Sequence, residues 1–147
     1  MGIKFVFLLI SAFTIKISTS PLVKHDPLVN TKWKFIGYVY KENNDSIEYP
    51  PGGIIYTIEF HKRNRVTGIA AYSYTGRYKL KGSYKVLIRP NISKKYYPND
   101  STQKEFDWRI RFSHDLVAKE PYLFSIKNDD LEIYCGKSLV MLFNRIK

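Results

Sequence analysis

Residues 54–89 read IIYTIEFHKRNRVTGIAAYSYTGRYKLKGSYKVLIR, and the fold is decided in this stretch. Ile54, Tyr56, Ile58 and Phe60 alternate with Thr57 and Glu59, the period of two that a strand buried on one face requires. Arg63-Asn64 supplies a hairpin turn. Beyond it Val66, Gly68, Ala70, Tyr72 and Tyr74 share one face. Gly76 then breaks the run ahead of Tyr78 and Leu80, and Lys81-Gly82-Ser83 turns the chain into Tyr84, Val86 and Ile88. Short strands joined by tight turns pair with their neighbours in sequence, so the stretch predicts an antiparallel meander.

Working outward, Trp33, Phe35, Gly37 and Val39 alternate with Lys32, Lys34 and Tyr38 as a further strand, set off by the breaker Pro50-Pro51-Gly52-Gly53. Downstream, Pro90 to Asp100 is irregular. Phe106, Trp108, Ile110 and Phe112 alternate as a strand would, yet Thr102 and Glu105 have capping-box spacing, and Trp108, Phe112 and Leu116 fit one helical face. The cap supplies a mechanism that alternation alone lacks, so a helix is expected over residues 102–118, stopped by Pro121. Three closing strands follow: Phe124 with Ile126, Leu131 with Ile133 and Cys135, and Leu139 with Met141 and Phe143, separated by Asn128-Asp129 and Gly136-Lys137. The expected fold is mainly β (α+β): an antiparallel, barrel-like sheet of about eight strands with one helix inserted after the fifth. Trp33 and Trp108 should both be buried.

The 147 residues suit one domain, and 44% hydrophobic with 16% aromatic residues exclude disorder as the ground state. Residues 1–20 read as a secretory signal: Lys4, an apolar run from Phe5 to Phe13, then Ser18-Thr19-Ser20. That run is too short to span a bilayer, and no cysteine near its end offers a lipoprotein anchor. Residues 21–27 form a tether and residues 28–147 the domain. The protein is therefore expected to be exported, periplasmic or secreted, without a transmembrane anchor. Cys135, the single cysteine, excludes an intramolecular disulfide, a four-cysteine zinc site and a CxxC motif.

Several strings resemble the META domain, the family that includes the heat-shock protein HslJ. Leu28-Val29-Asn30-Thr31-Lys32-Trp33-Lys34 is similar to the family's opening. Phe60, Asn64 to Gly68 and Ala70 to Tyr78 are similar to its middle signature, with Tyr74, Gly76 and Tyr78 in place, and Phe124, Ile126, Asp129, Leu131, Ile133 and Leu142-Phe143 to its close. The likeness spans residues 28–146. Where the family has Cys-Asn this chain has Ala71-Tyr72, and its second cysteine is replaced near Lys94 to Tyr97. The resemblance implies a fold and an envelope or extracellular setting, and no reaction.

The residues point the same way. His25, His61 and His114 are expected at the surface, Cys135 packs inward, and Asp129-Asp130 and Glu120 are solvated acids, so no catalytic set and no metal or cofactor site is expected. The acceptor triplets beginning at Asn44, Asn91 and Asn99 are given no role. A formal charge of +11 makes the surface attractive to anions. Lys62, Arg63 and Arg65 at one hairpin are the candidate contact, with Lys79, Lys81 and Lys85 on adjoining strands and Lys94-Lys95 beside Tyr96-Tyr97. For an exported chain the partner would be lipid headgroups, lipopolysaccharide or acidic polysaccharide rather than nucleic acid. The alternative is a calycin-like carrier of a small apolar ligand, since Thr31-Lys32-Trp33 is similar to the lipocalin Gly-x-Trp opening and eight strands can close a barrel. Against it, the lipocalin helix usually follows the eighth strand.

Overall fold

The computed structural model describes residues 25–147 except 53, 71, 92–101 and 118, and only the backbone of residue 72. The signal expected over residues 1–20 and most of the tether lie outside the described residues. Nine strands and one α-helix follow in order: β1 (Thr31–Tyr40), β2 (Ser46–Glu48), β3 (Tyr56–His61), β4 (Arg65–Ala70), β5 (Tyr72–Leu80), β6 (Lys85–Asn91), α1 (Gln103–Leu116), β7 (Tyr122–Lys127), β8 (Asp130–Tyr134) and β9 (Leu139–Arg145). Antiparallel pairing runs from β1 through β3 to β9 in sequence order, and β9 returns to β1, so eight strands close a barrel. Closure leaves the barrel no long free edge. The helix follows β6, the fifth strand of the barrel, as expected.

The short β2 was not anticipated. It pairs outside the ring with Tyr38, Val39 and Tyr40, and all three of its residues are exposed, so no apolar pattern marks it. Strand β1 corrects a second expectation. Its register with β9 shifts between Phe35 and Gly37, and the extra residue Ile36 moves the inward face from Phe35 to Tyr38. Tyr38 is accordingly fully buried, with its ring 5.1 Å from Phe35 and 5.5 Å from Trp108. A Cβ on Gly37 would collide with the carbonyl oxygen of Glu48, so glycine is what admits β2.

The run from Val66 to Tyr74 is two strands rather than one. Ala70 pairs with Tyr72, so the chain reverses at residue 71. Gly76 lies inside β5 opposite Pro90 and does not break it.

The helix begins with the expected capping box: the Glu105 N–H donates to Thr102 Oγ1 at 3.3 Å, and the Thr102 N–H donates to Glu105 Oε2 at 3.1 Å. Trp108, Phe112 and Leu116 are buried. The Phe112 ring sits 5.0 Å from Phe35 and 4.8 Å from Tyr56, so the helix stops one end of the barrel with aromatic side chains. The opposite end is stopped by the chain ahead of β1. Leu28 is fully buried there, Asn30 N–H donates to the Phe60 carbonyl at 2.8 Å, and the Tyr78 hydroxyl donates to Asp26 Oδ2 at 2.6 Å. Trp33 and Trp108 are both buried, at 0% and 5% exposure.

Candidate functional site

A filled barrel leaves its walls and rims for chemistry. Strand period puts alternate side chains outside, and antiparallel register sets them side by side across neighbouring strands. On the outer wall the register brings basic residues together: His61 pairs with Arg65, Arg65 with Arg77, and Arg77 with Arg89. One row of four basic positions therefore crosses β3, β4, β5 and β6, roughly 14 Å long at about 4.8 Å per strand. The three arginines are exposed. Neither they nor Lys62, Arg63, Lys79, Lys81 or Lys85 has an ion-pair partner among the described residues. Lys85 alone of these reaches an aromatic face, lying 6.0 Å from the Tyr84 ring centroid.

The expected contact, Lys62, Arg63 and Arg65, lies at one end of this row. Lys62–Asn64 form a single 3-10 turn in which Arg63 and Asn64 both take left-handed backbone at φ 59°, and all three cations are exposed. His61 is only half-exposed, sharing a 2.7 Å hydrogen bond with Thr67 and standing 3.8 Å from Glu59. His25 and His114 are exposed, as expected. Lys94 and Lys95 lie outside the described residues.

Arg77 and Arg89 were not anticipated as part of the contact, though the sequence holds a signal for them. Residues 60–99 contain ten of the 24 Lys and Arg and none of the 13 Asp and Glu, leaving 14 cations against 13 acids in the rest of the chain. The charge excess belongs almost wholly to this segment.

A second cluster occupies the helix end of the barrel. The Arg111 guanidinium lies 3.7 Å from the Tyr38 ring centroid, donates to Glu48 Oε2 at 2.8 Å and to the Tyr40 hydroxyl at 2.7 Å, and stands 3.8 Å from Asp115. The Tyr40 hydroxyl in turn donates to Glu48 at 2.6 Å. This hydrogen bond, with Arg111, holds the Glu48 carboxyl below the usual carboxylate range. Each polar group there is answered by another, which makes a latch tying α1 to β1 and β2. Cys135 packs against the same end, and burial together with the Asp115 charge pushes its thiol up to about 12. A nucleophilic thiol needs the opposite shift. Asp129 and Asp130 turn to different partners, Lys147 at 3.2 Å and Asn144 at 2.5 Å. Among the described residues no three His, Cys, Asp or Glu side chains come together as metal ligands would, and no helix is long and apolar enough to cross a membrane.

No protein-family model and no curated protein matches the chain. Two solved structures are similar to it. One is an NMR structure of a protein from Burkholderia xenovorans, 13% identical over 81% of this chain and 83% of that one, with a TM-score of 0.60. The other is an NMR structure 13% identical over 80% of this chain and 90% of that one, with a TM-score of 0.51. The likeness is one of fold.

Proposed function

We propose that the chain is an exported, non-catalytic binding domain of the META/HslJ-like kind, acting on an anionic component of the envelope or the exterior. Its contact surface is the outer wall of β4, β5 and β6 with Lys62, Arg63 and Arg65 at one edge. The observation that carries this reading is the row Arg65, Arg77 and Arg89, set in direct cross-strand register without an acid opposite any of them. Like charges directly opposite on a sheet cost stability, and a row that serves only solubility has no need to be in register. The raised Cys135 thiol and the neutralised Arg111 cluster support a role without catalysis. The helix after the fifth barrel strand supports the META likeness over the lipocalin order.

The test is elution of the full chain from an anionic matrix in rising salt. Changing Arg65, Arg77 and Arg89 to Gln should lower the eluting salt far more than changing Lys104, Lys127 and Lys137 to Gln, which removes the same charge elsewhere. Equal shifts would reduce the row to bulk charge and sink the proposal.

The closed eight-strand barrel also favours the second reading, a carrier of a small apolar ligand. Trp33, Phe35, Tyr56 and Phe112 take up the interior such a cargo would need. Native mass spectrometry of freshly purified protein decides it: a stoichiometric lipid would favour the carrier.

A further inference from the structure

Resting on the anion-binding reading above, we infer that the partner is a linear sulfated polysaccharide lying across the strands along the row His61, Arg65, Arg77 and Arg89. The argument starts from shape. A convex barrel wall touches a planar lipid surface along one strand or two, whereas a chain can bend round it and reach all four positions. The positions are single file, one per strand, and the guanidinium fork presents paired donors that suit a multi-oxygen anion such as a sulfate ester.

The neighbouring outward row supplies what a sugar backbone would use. Thr67 pairs with Thr75, and Thr75 with Asn91, so hydroxyl and amide groups run parallel to the arginines one step along each strand. Sugar hydroxyls can both donate to and accept from such groups. The same wall argues against single-stranded nucleic acid. Binding without sequence preference relies on aromatic platforms for the bases, and the outward positions of β4, β5 and β6 carry no aromatic residue.

The experiment measures binding of the full chain to sulfated oligosaccharides of increasing, defined length, at several salt concentrations. Three other probes run beside them: the same backbone without sulfate, vesicles containing phosphatidylglycerol, and single-stranded DNA. Affinity for the sulfated series should climb with length until the chain spans the row, then level off, and the unsulfated backbone should not bind. The salt slope should fall by roughly 0.7–0.9 for each arginine changed to Gln, one released counterion per lost contact. Near-UV circular dichroism checks that each variant remains folded, with Arg77→Lys, which keeps charge and loses the fork, as a second variant.

Sulfated-chain binding that ignores the row variants would overturn the inference. So would row-dependent binding that is as tight for vesicles or DNA, although the anion-binding reading would then survive. Failure to bind any polyanion at low salt would remove both.

Discussion

Arg77 bears the largest cost of the basic row, because Arg65 faces it on one side and Arg89 on the other. Like charges directly opposite cost about 0.2–1 kcal/mol per pair, and Thr is itself favoured in strands. Arg77→Thr should therefore raise stability by roughly 0.5–1 kcal/mol while weakening polyanion binding. A lower urea midpoint for the variant would show that the guanidinium has a folding role. Glu48 behaves in the opposite way. The Tyr40 hydroxyl and then Arg111 hold its carboxyl below the usual range, so its contribution is present above the ordinary glutamate value near about 4.3 and is lost as pH falls through the lowered one. Glu48→Gln should destabilise at neutral pH and leave stability close to wild type at about pH 2. Urea titrations at the two pH values check it, and an equal loss at both would point to packing rather than charge. Cys135, its thiol pushed up to about 12, should react with a disulfide reagent at pH 8 at least about a hundredfold more slowly in the native chain than in urea.

Among the elements, α1 was the most legible in sequence because two independent signals agree on it. Thr102 and Glu105 close the capping box, and Trp108, Phe112 and Leu116 share the buried face. Thr102→Ala should cost about 1 kcal/mol by removing the acceptor for the Glu105 N–H. The β4–β5 hairpin was illegible for a geometric reason. Ala70 and Tyr72 are opposite partners, so even-numbered positions face inward on both strands and the period of two passes through the reversal unchanged. The bulge at Ile36 hid in the reverse way, since it shifts the inward face without any breaker residue. For the same reason the basic row could not be read from spacing. Arg65, Arg77 and Arg89 are twelve residues apart at each step, and only hairpin register makes them neighbours. Gly68 looks like a pattern position and is a packing one. A Cβ there would collide with the Thr57 carbonyl and with the Tyr74 hydroxyl that donates to it at 3.0 Å. Gly68→Ala should destabilise by about 1–3 kcal/mol, the range for overpacking, with thermal unfolding as the check.

At the scale of the molecule, charge and core are separated. The excess of cations sits on one wall, and the interior is held by aromatic rings in contact, with Phe35 touching five others. Several of the core rings are tyrosines, which ties stability to alkaline pH. Burial pushes Tyr56 and Tyr122 up to about 12, and Tyr38, Tyr74 and Tyr78 higher still. In the unfolded chain each ionises near about 10. A folded value above the unfolded one means stability is whole below about pH 10 and is lost as pH rises beyond it. Deprotonation of surface lysines over the same range relaxes repulsion on the basic wall, which opposes that loss. Exposed charges are screened within about 8–10 Å, whereas each buried phenol kept neutral costs up to about 1.4 kcal/mol per pH unit above its unfolded value. The core effect wins. Of the 12 tyrosines, a fraction should titrate near pH 10 with the fold intact and the remainder only together, in one step coincident with loss of near-UV circular dichroism. If all 12 ionised near pH 10 while that signal persisted, the tyrosines would not be sealed in the barrel, and the filled interior that sends function to the outer wall would have to be abandoned.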